Sequence, residues 1–251
     1  MQNVDSTTRG FLNKPPGSLR YAVGTAKPSE PHALIAQLIP QGASVLDVGC
    51  GVGDLCIVLR KLRGAEVMGL EPHVERAAEA RKHGLTIECG ELDRSVASRC
   101  GKFDVVVFAD VLEHLVDPVS VLEISHQVLR PEGRIVASIP NIAHWSVRLK
   151  LLFGHFDYEE CGLLDATHLR WFTQKTVERV FAAAGFRISS IKRTPGAWMP
   201  VYKRHPFRWL SSNMRCRMIR LGIRVAPNLL GCQFIVEAVP AYQPPKLKMV
   251  Q

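Results

Sequence analysis

The sequence has no hydrophobic run long enough to cross a membrane, and its first residues include no apolar core of signal-peptide length. The opening stretch, MQNVDSTTRGFLNKPPGS, is polar and is interrupted by proline and glycine. We therefore expect a cytoplasmic protein. The composition, 47% hydrophobic and 22% charged in 251 residues, is that of an ordinary globular chain that can bury a sizeable core.

The cysteines include no C-x-x-C pair, and their number, seven, is odd. This pattern argues against a disulfide framework and against a cysteine-based zinc site. Several of these cysteines lie in apolar runs, where a free thiol behaves as a small hydrophobic side chain. We expect free thiols in a reducing compartment.

Acidic residues are absent between Glu178 and Glu237, and the whole chain carries a net charge of +9. Within this interval, PFRWLSSNMRCRMIRLGIRVAP predicts a basic helix whose apolar face holds Leu210, Met214, Met218, Leu221 and Val225. That face could dock on the rest of the domain. Alternatively, the segment could meet an anionic substrate, either phosphorylated or carrier-linked, or make peripheral membrane contact through residues 206–226.

Strand and helix patterns alternate along most of the chain. Strands are predicted at 44–48, 66–70, 85–88, 103–109, 133–139, 186–192 and 233–239, and helices at about 31–39, 54–63, 74–83, 119–129 and 173–184. The apolar run FDVVVFA is typical of a strand buried on both faces. The alternation predicts an α/β, Rossmann-like, doubly wound sheet of seven mostly parallel strands.

The regular pattern breaks twice, after the fifth and sixth strands. Residues 140–172 are rich in aromatic side chains and histidines and predict a cap over the acceptor site. Residues 195–231 form the basic insertion. We predict an N-terminal arm over residues 1–30, a single domain over 31–240 and a C-terminal tail over 241–251.

The stretch SVLDVGCGVGD places three glycines at every second position directly after a strand. Glycines allow a tight turn and a close approach of a ligand to the backbone, and the following helix offers unpaired N–H groups. The pattern D-x-G-x-G-x-G differs from the dinucleotide spacing. A carboxylate at Asp47 would repel a pyrophosphate but would bind an ammonium group, which favours a ligand with an amino acid portion.

Two further acids follow at strand ends. Glu71, in VMGLEPH, lies about 20 residues past the glycine loop, where a carboxylate can hold the hydroxyls of a ribose. Glu91, in CGELD, ends the next strand within reach of an adenine edge. The acids and the loop together predict a nucleoside-type ligand at the carboxyl edge of the sheet.

Five segments, VLDVGCGVGD, VMGLEP, ECGELD, FDVVVFADVLEHLVDP and VLRPEGRIVASIPN, resemble in order and spacing the class I S-adenosylmethionine-dependent methyltransferases. The resemblance covers about residues 30–195 and implies S-adenosylmethionine as cofactor. The cofactor contacts it implies are Asp47, Gly49, Cys50, Gly51, Gly53, Glu71, Pro72, Glu91, Leu92, Asp110, Val111 and His114. The family more often has Asp where this chain has Glu91.

Within that superfamily, GELDRSV, SIPNIAHWSVRLKLLFGHFDY and LLDATHLRWFT resemble the group that includes the methionine-biosynthesis protein MetW and many small-molecule methyltransferases. The last segment is also similar to ubiquinone-pathway O-methyltransferases. The resemblance implies a small acceptor, most simply methylated at oxygen.

Transfer of the methyl group to a hydroxyl needs a base near neutral pH, and histidine is the usual one. His168 is the first candidate for acceptor contact or general base, because it precedes a helix at the carboxyl edge of the sheet. His144 is the second candidate, although it could equally hydrogen-bond the backbone. Glu113 and His114 could join a metal site, but no third ligand is evident, so we predict no metal.

The acceptor pocket is predicted to include Trp145, Tyr158, Asp165 and Trp171. The aromatic side chains could instead pack the cap onto the sheet. Asp165 could orient His168 or pair with Arg170. These alternatives remain open from the sequence alone.

Three functions compete. The first is O-methylation of a small molecule such as a sugar, a glycan precursor or a secondary metabolite. The second, RNA or other nucleic-acid methylation, fits the basic charge, but the chain has FADVLEH where amino-methylating nucleic-acid enzymes have Asn/Asp-Pro-Pro-aromatic. The third is a non-catalytic partner subunit, as the MetW resemblance suggests.

Overall fold

The fold is built on one sheet of seven strands in the order β3-β2-β1-β4-β5-β7-β6. The computed structural model describes residues 30–203 and 207–241. The strands are β1 Ser44–Val48, β2 Glu66–Glu71, β3 Thr86–Cys89, β4 Phe103–Ala109, β5 Leu129–Pro140, β6 Phe186–Thr194 and β7 Gln233–Pro240. Strands β1 to β5 pair in parallel, whereas β7 runs antiparallel between β5 and β6. The predicted α/β, mostly parallel sheet is confirmed.

Helices cover both faces of this sheet. They are α1 Glu30–Leu38, α2 Asp54–Arg63, α3 Val74–Lys82, α4 Arg94–Arg99, α5 Pro118–Ser125, α6 Trp145–Leu152, α7 Gln174–Ala183, α8 Ser212–Val225 and α9 Pro227–Leu230. The core that includes α1, α2 and α3 takes Val105 and Val107 of β4. The core that includes α4, α5 and α7 takes Val106 and Phe108. A strand buried on both faces therefore needs the continuous apolar sequence that β4 has.

Two predicted boundaries differ from the structure around α5 and β5. The helix expected at 119–129 ends at Ser125, and Leu129 already belongs to β5. The turn between them is held by His126, whose ring stacks on Phe186 and whose Nε2 lies 2.9 Å from the Ala184 carbonyl oxygen. The apolar side chains that continued the helical pattern are therefore used by the turn and the strand.

Three short helices, α4, α6 and α9, were not predicted, and side chains cap the first two. Asp93 accepts a hydrogen bond from the Val96 amide at the start of α4, and His144 accepts one from the Ser146 amide at the start of α6. The predicted N-cap of α7 is confirmed, because Thr173 and Thr176 form a reciprocal capping box.

The two irregular segments, 140–172 and 195–231, share one small core. Its buried members are Val147, Leu163, Leu164, Met199, Tyr202, Ile219 and Cys232. The first three come from the segment after β5, and the next three come from the segment after β6. The cap is therefore a single unit made from both insertions.

The apolar face predicted for the basic helix is not the face that docks. Helix α8 contacts the cap core through Ile219, which is buried, and Ile223, which is half-buried. The predicted docking residues are exposed: 49% for Met214, 49% for Met218, 63% for Leu221 and 85% for Val225. At 3.6 residues per turn the two sets lie on roughly opposite sides of the helix. The prediction that the face with Met214, Met218, Leu221 and Val225 docks on the domain was therefore wrong.

Most of the predicted N-terminal arm and C-terminal tail lies outside the described residues. Among the helices that are described, none combines the length and the apolar character needed to cross a bilayer.

Candidate active site

A glycine-rich loop joins β1 to α2 and wraps over the end of β2. Its glycines have left-handed backbones, with φ of +70° at Gly49, +59° at Gly51 and +89° at Gly53. The amides of Gly49 and Cys50 both donate to the Leu70 carbonyl, at 2.7 and 3.1 Å. This conformation is strained for residues that carry a Cβ, which explains the glycines.

Gly49 and Gly51 serve different purposes in this loop. A Cβ at Gly49 would come within 2.8 Å of the Val111 side chain, whereas a Cβ at Gly51 would meet nothing within 4 Å. Gly49 therefore permits close packing of the loop on the segment after β4. Gly51 keeps its backbone open towards a space that a ligand can occupy.

Glu71 closes the loop from the neighbouring strand. Its Oε2 accepts a hydrogen bond from the Gly51 amide at 2.8 Å, and its Oε1 accepts one from the His73 amide at 3.1 Å. The residue is only 2% exposed. Each carboxylate oxygen keeps a second lone pair, so this carboxylate can still accept from the hydroxyls of a ribose.

Asp47 lies beneath the loop and has an unsatisfied oxygen. Its Oδ2 accepts a hydrogen bond from the Cys56 thiol at 3.2 Å, but its Oδ1 is buried without a partner among the described residues. Burial raises the pKa of Asp47 to about 7, and the charge of Glu71 adds to the rise. An ammonium group at this place would satisfy the orphaned oxygen, so the loop and its acids fit the cofactor predicted from the sequence.

The residues predicted near the adenine are split between surface and core. Glu91 is exposed, whereas the Leu92 side chain packs in the main core. The Gly90 amide donates to the Glu71 carbonyl at 3.0 Å, which places this loop beside the ribose acid. Pro72 is exposed on the same loop edge. An adenine role for Glu91 and Leu92 stays a prediction.

Asp110 directly follows β4 and has a strained backbone conformation. Among the described residues it alone, apart from glycines, has a positive φ, +55°. Its Oδ1 accepts hydrogen bonds from Ser138 Oγ at 2.8 Å and Gln233 Nε2 at 2.9 Å. The sequence analysis missed Ser138 and Gln233, because nothing in their local sequence marks them. Such strain at a strand end is typical of a residue aimed into a functional site.

Three predicted residues meet beside this strand end. The backbone carbonyl of Glu113 accepts hydrogen bonds from the amides of Leu169 at 2.8 Å and Arg170 at 3.0 Å. These bonds pin the loop that carries His168 onto the short 3₁₀ turn Leu112–His114. The rings of His114 and His168 are then 4.9 Å apart, edge to face.

The fold also brings a third candidate metal ligand, His168, beside the two that the sequence suggested. Glu113, His114 and His168 each offer one ligand atom, and these atoms lie within 4.8 Å of one another. Both carboxylate oxygens of Glu113 are buried, and neither has a hydrogen bond of good geometry in the part of the chain that the structure describes. Burial raises the pKa of Glu113 well above its usual value, and the nearby charges of Asp110 and Asp165 raise it further.

His168 is a neutral imidazole at physiological pH. Burial lowers its pKa to about 4, and the neighbouring His114 lowers it further. The Asp165 charge and a hydrogen bond to the Leu163 backbone oppose this shift. A neutral imidazole can accept a proton or bind a metal, so both roles are open to His168.

His144 lies within the cap rather than at this cluster. It is fully buried, with Nδ1 2.8 Å from Ser146 Oγ and Nε2 3.1 Å from the Tyr202 hydroxyl. Burial lowers its pKa to about 4. Both ring nitrogens are engaged, and Nδ1 also accepts from the Ser146 backbone, which favours the structural alternative over a base.

The predicted acceptor residues fall into two groups. Trp145 donates to the Tyr202 hydroxyl at 2.9 Å and so belongs to the cap core. Tyr158 and Trp171 flank Phe156, with ring centroids 5.8 and 5.7 Å from it, and all three are partly exposed. This second group forms an aromatic surface that a ligand can reach.

Asp165 shapes the loop that carries His168. Its Oδ1 accepts from the Thr167 amide at 2.8 Å and the Thr167 hydroxyl at 2.6 Å, and its backbone carbonyl accepts from the His168 amide. The structure therefore supports orientation of His168. Arg170 donates to the Val116 carbonyl at 2.6 Å.

A family model described as "Methyltransferase domain" matches residues 24–191, about two thirds of the chain. The chain belongs to the class I S-adenosylmethionine-dependent methyltransferases. The predicted family and its cofactor, S-adenosylmethionine, are thereby confirmed.

Relatives and solved structures agree with this membership. A ubiquinone biosynthesis O-methyltransferase of Actinobacillus pleuropneumoniae is 36% identical over 40% of this chain, which spans about half (47%) of that relative's length. One from Psychrobacter arcticus is 28% identical over 74% of this chain and 73% of its own length. A SAM-dependent methyltransferase from Archaeoglobus fulgidus shares the fold, with a TM-score of 0.57 at 19% identity over 82% of this chain and 91% of its own.

Proposed function

We propose that this protein transfers a methyl group from S-adenosylmethionine to a hydroxyl oxygen of a small molecule. The observation that carries the proposal is the neutral, buried His168 held beside Glu113 and His114 at the carboxyl edge of the sheet. Open α/β sheets bind their ligands at this edge. The relatives named as O-methyltransferases support oxygen as the methylated atom.

The cofactor would be held by the glycine loop and the acids around it. Asp47 would take the ammonium end and Glu71 the ribose, while the open backbone at Gly51 leaves room for the ligand. The sulfonium of S-adenosylmethionine supplies an already activated methyl group. The chain therefore has to align the acceptor, exclude water and manage one proton.

His168 would manage that proton. A hydroxyl is a poor nucleophile until its proton is removed, and a neutral imidazole can accept it. The turn formed by Asp165 and Thr167 fixes the loop that carries this ring. Phe156, Tyr158 and Trp171 would give an apolar part of the acceptor a surface to rest on.

The test is to incubate the protein with methyl-labelled S-adenosylmethionine and an extract of its own source, and to partition the label. We expect label in the small-molecule or lipid fraction, released as methanol by neither mild acid nor base, as a methyl ether requires. Label in RNA would replace the proposal by nucleic-acid methylation. Tight cofactor binding with no transfer would support a partner subunit instead.

A further inference from the structure

We propose that Glu113, His114 and His168 bind a divalent cation. The ligand atoms lie within 4.8 Å of one another, and two imidazoles with one carboxylate are a common set for Mn²⁺, Fe²⁺ or Zn²⁺ with open positions left for other ligands. The residues that make this set come from two turns, 54 positions apart in sequence.

The strongest support is the unused carboxylate. Glu113 is 1% exposed, and neither of its oxygens has a hydrogen bond of good geometry among the described residues. Burial raises the pKa of the carboxyl, and its own backbone amide lowers this pKa by a smaller amount. Burying a carboxyl group without partners is costly, so its position calls for a ligand. Asp110 and Asp165 lie close enough to act on it electrostatically, which makes the place attractive to a cation.

The two histidines are oriented as metal ligands usually are. His114 Nδ1 lies 3.1 Å from the Thr167 carbonyl oxygen, and the His168 ring hydrogen-bonds the Leu163 backbone. A backbone carbonyl that accepts from one ring nitrogen fixes the tautomer and leaves the other nitrogen as a ligand. Each ring thus has one nitrogen anchored and one to offer.

A bound cation would change how His168 acts on the acceptor proton. This part of the proposal rests on the proposed function. An acceptor hydroxyl bound to the cation loses its proton to solvent more readily. Its oxygen then forms the new bond to the methyl carbon as the carbon–sulfur bond breaks, and the sulfonium becomes a thioether. With the cation bound, His168 would assist the loss of this proton by holding the cation, whereas without a cation it would take the proton itself.

Titration with Mn²⁺ tests the site without any acceptor. The electron paramagnetic resonance signal of free Mn²⁺ decreases as the ion binds, and this decrease measures the affinity. We expect one site per chain in the wild type and at least tenfold weaker binding in Glu113→Gln and in His168→Asn. The control is Glu79→Gln, which alters a half-buried carboxylate that also neighbours a histidine, His83 at 4.0 Å.

Circular dichroism should show all variants folded, and Glu113→Gln should be at least as stable as the wild type without metal, because it removes a buried ionisable group. Undiminished binding in Glu113→Gln, or no binding of Mn²⁺ or Zn²⁺ by the wild type, would overturn the cation site. Either result would leave methyl transfer intact, so the two proposals can fail separately.

An independent observation concerns the exposed side of α8. We infer that this side rests on an anionic membrane surface. Met214, Met218, Leu221 and Val225 form one stripe along the 14-residue helix, spaced four, three and four positions apart. Between 49% and 85% of each is exposed, although the opposite side of the same helix is docked on the cap.

The charge around the stripe identifies the kind of surface. Helix α8 contains no acidic residue, and Arg217 and Arg224 are exposed beside the stripe. Trp209, which precedes the helix, is 72% exposed and lies against the Arg208 guanidinium. Apolar side chains flanked by arginines, with a tryptophan at one end, are typical of helices that lie in the interface of anionic bilayers.

Flotation with lipid vesicles tests this surface. We expect the wild type to float with vesicles that contain phosphatidylglycerol, less at high salt, and not with vesicles of phosphatidylcholine alone. Leu221→Ser should lower the partition coefficient about tenfold, since a leucine side chain leaves the lipid. Leu62→Ser is the matched control, because Leu62 is a similarly exposed leucine on α2.

Arg217→Glu with Arg224→Glu should weaken binding further, in proportion to the anionic lipid content. Equal flotation of Leu221→Ser and the wild type would overturn the membrane surface. A second result would also overturn it: a wild type that does not bind vesicles but forms a dimer, with the dimer lost in Leu221→Ser. The stripe would then bind a second copy of the chain.

Discussion

The cofactor side and the cap side of this protein are built in opposite ways. On the cofactor side, the loop after β1 bonds to the neighbouring strand through backbone amides and one carboxylate, Glu71. On the cap side, side chains from segments about 60 residues apart meet, as His144 and Trp145 meet Tyr202. The first construction depends on short motifs, and the second depends on tertiary packing.

This difference explains why the two histidines named as candidates have unlike surroundings. His168 lies at the junction of the two sides, next to Glu113, whose carboxylate oxygens lack hydrogen bonds of good geometry among the described residues. His144 lies inside the cap with both nitrogens occupied. Chemistry is therefore expected where the cap meets the sheet, and stability is expected within the cap.

The largest effect should separate these histidines. His168→Asn should lower kcat by about 10²–10⁴-fold, because it removes the group proposed to act on the acceptor. It should destabilise the fold by no more than about 0.5–1.5 kcal/mol, the contribution of one hydrogen bond. His144→Asn should do the reverse and destabilise the fold by about 1–3 kcal/mol through lost buried hydrogen bonds. Steady-state kinetics and thermal melts measure the two effects. Loss of activity in His144→Asn without loss of stability would contradict the structural role of His144.

On the cofactor side, Glu71→Ala should weaken S-adenosylmethionine binding by about 100-fold. It removes a carboxylate that holds two backbone amides and would hold the ribose, and hydrogen bonds to charged groups contribute about 1.5–3 kcal/mol each. Calorimetry measures the affinity. Glu66→Ala, at the exposed start of the same strand, is the control and should bind normally.

Asp47 should give cofactor binding a pH dependence. Its pKa of about 7 in the folded protein means that the carboxylate which an ammonium group needs is a minority form at pH 6 and dominant at pH 8. Affinity should rise about tenfold between these values, with proton release near pH 7, as calorimetry in buffers of different ionisation heat can show. Asp47→Asn should abolish the dependence.

The same raised pKa has a defined sign for stability. Because the folded state holds this proton more tightly than the unfolded chain does, Asp47 contributes a loss of stability to the free protein as pH rises from about 4 to 7. The lowered pKa values of His144 and His168 act in the opposite direction over the same range, so the Asp47 contribution is the difference between the wild type and Asp47→Asn. Bound cofactor should offset the loss by stabilising the ionised form. Chemical denaturation of both proteins across this range should show Asp47→Asn gaining on the cofactor-free wild type as pH rises, and the opposite trend would contradict the raised pKa.

The smallest effect should distinguish two glycines. Gly49→Ala should destabilise the fold by about 2–4 kcal/mol, because strain adds to the clash with Val111. Gly51→Ala carries only the backbone strain, about 1–2 kcal/mol, yet should weaken cofactor binding more than its stability loss implies. Equal losses of stability in Gly49→Ala and Gly51→Ala would contradict the assignment of Gly49 to packing and of Gly51 to the cofactor.

What could be predicted from the sequence follows the same division. The acidic residues of the cofactor site can be predicted from the sequence, because parallel strands have their carboxyl ends at one edge of the sheet. Asp47, Glu71 and Asp110 lie at the ends of three neighbouring strands. The third candidate cation ligand could not be recognised in the sequence, because tertiary contacts, among them the backbone bonds from Leu169 and Arg170 to Glu113, bring His168 to this place. Short-range patterns cannot report such a contact.

The basic helix shows a second limit. Its periodicity correctly indicates an amphipathic helix, but two apolar sets lie on nearly opposite sides, one through Met218 and Leu221 and one through Ile219 and Ile223. Periodicity cannot choose between them. The second set packs in the cap core with Tyr202, whose carbonyl also accepts a hydrogen bond from Arg215 at 2.9 Å. These are tertiary contacts that the periodicity does not contain.

The Tyr202 hydroxyl has a consequence for anyone who redesigns acceptor preference by exchanging parts between relatives. It joins His144 and Trp145 from one insertion to a tyrosine from the other, so neither insertion is a separable module. A chimera that imports residues 140–172 alone would leave this hydroxyl without its two nitrogens. Grafts that carry 195–231 together with 140–172 keep these hydrogen bonds, and with them the shape of the cap.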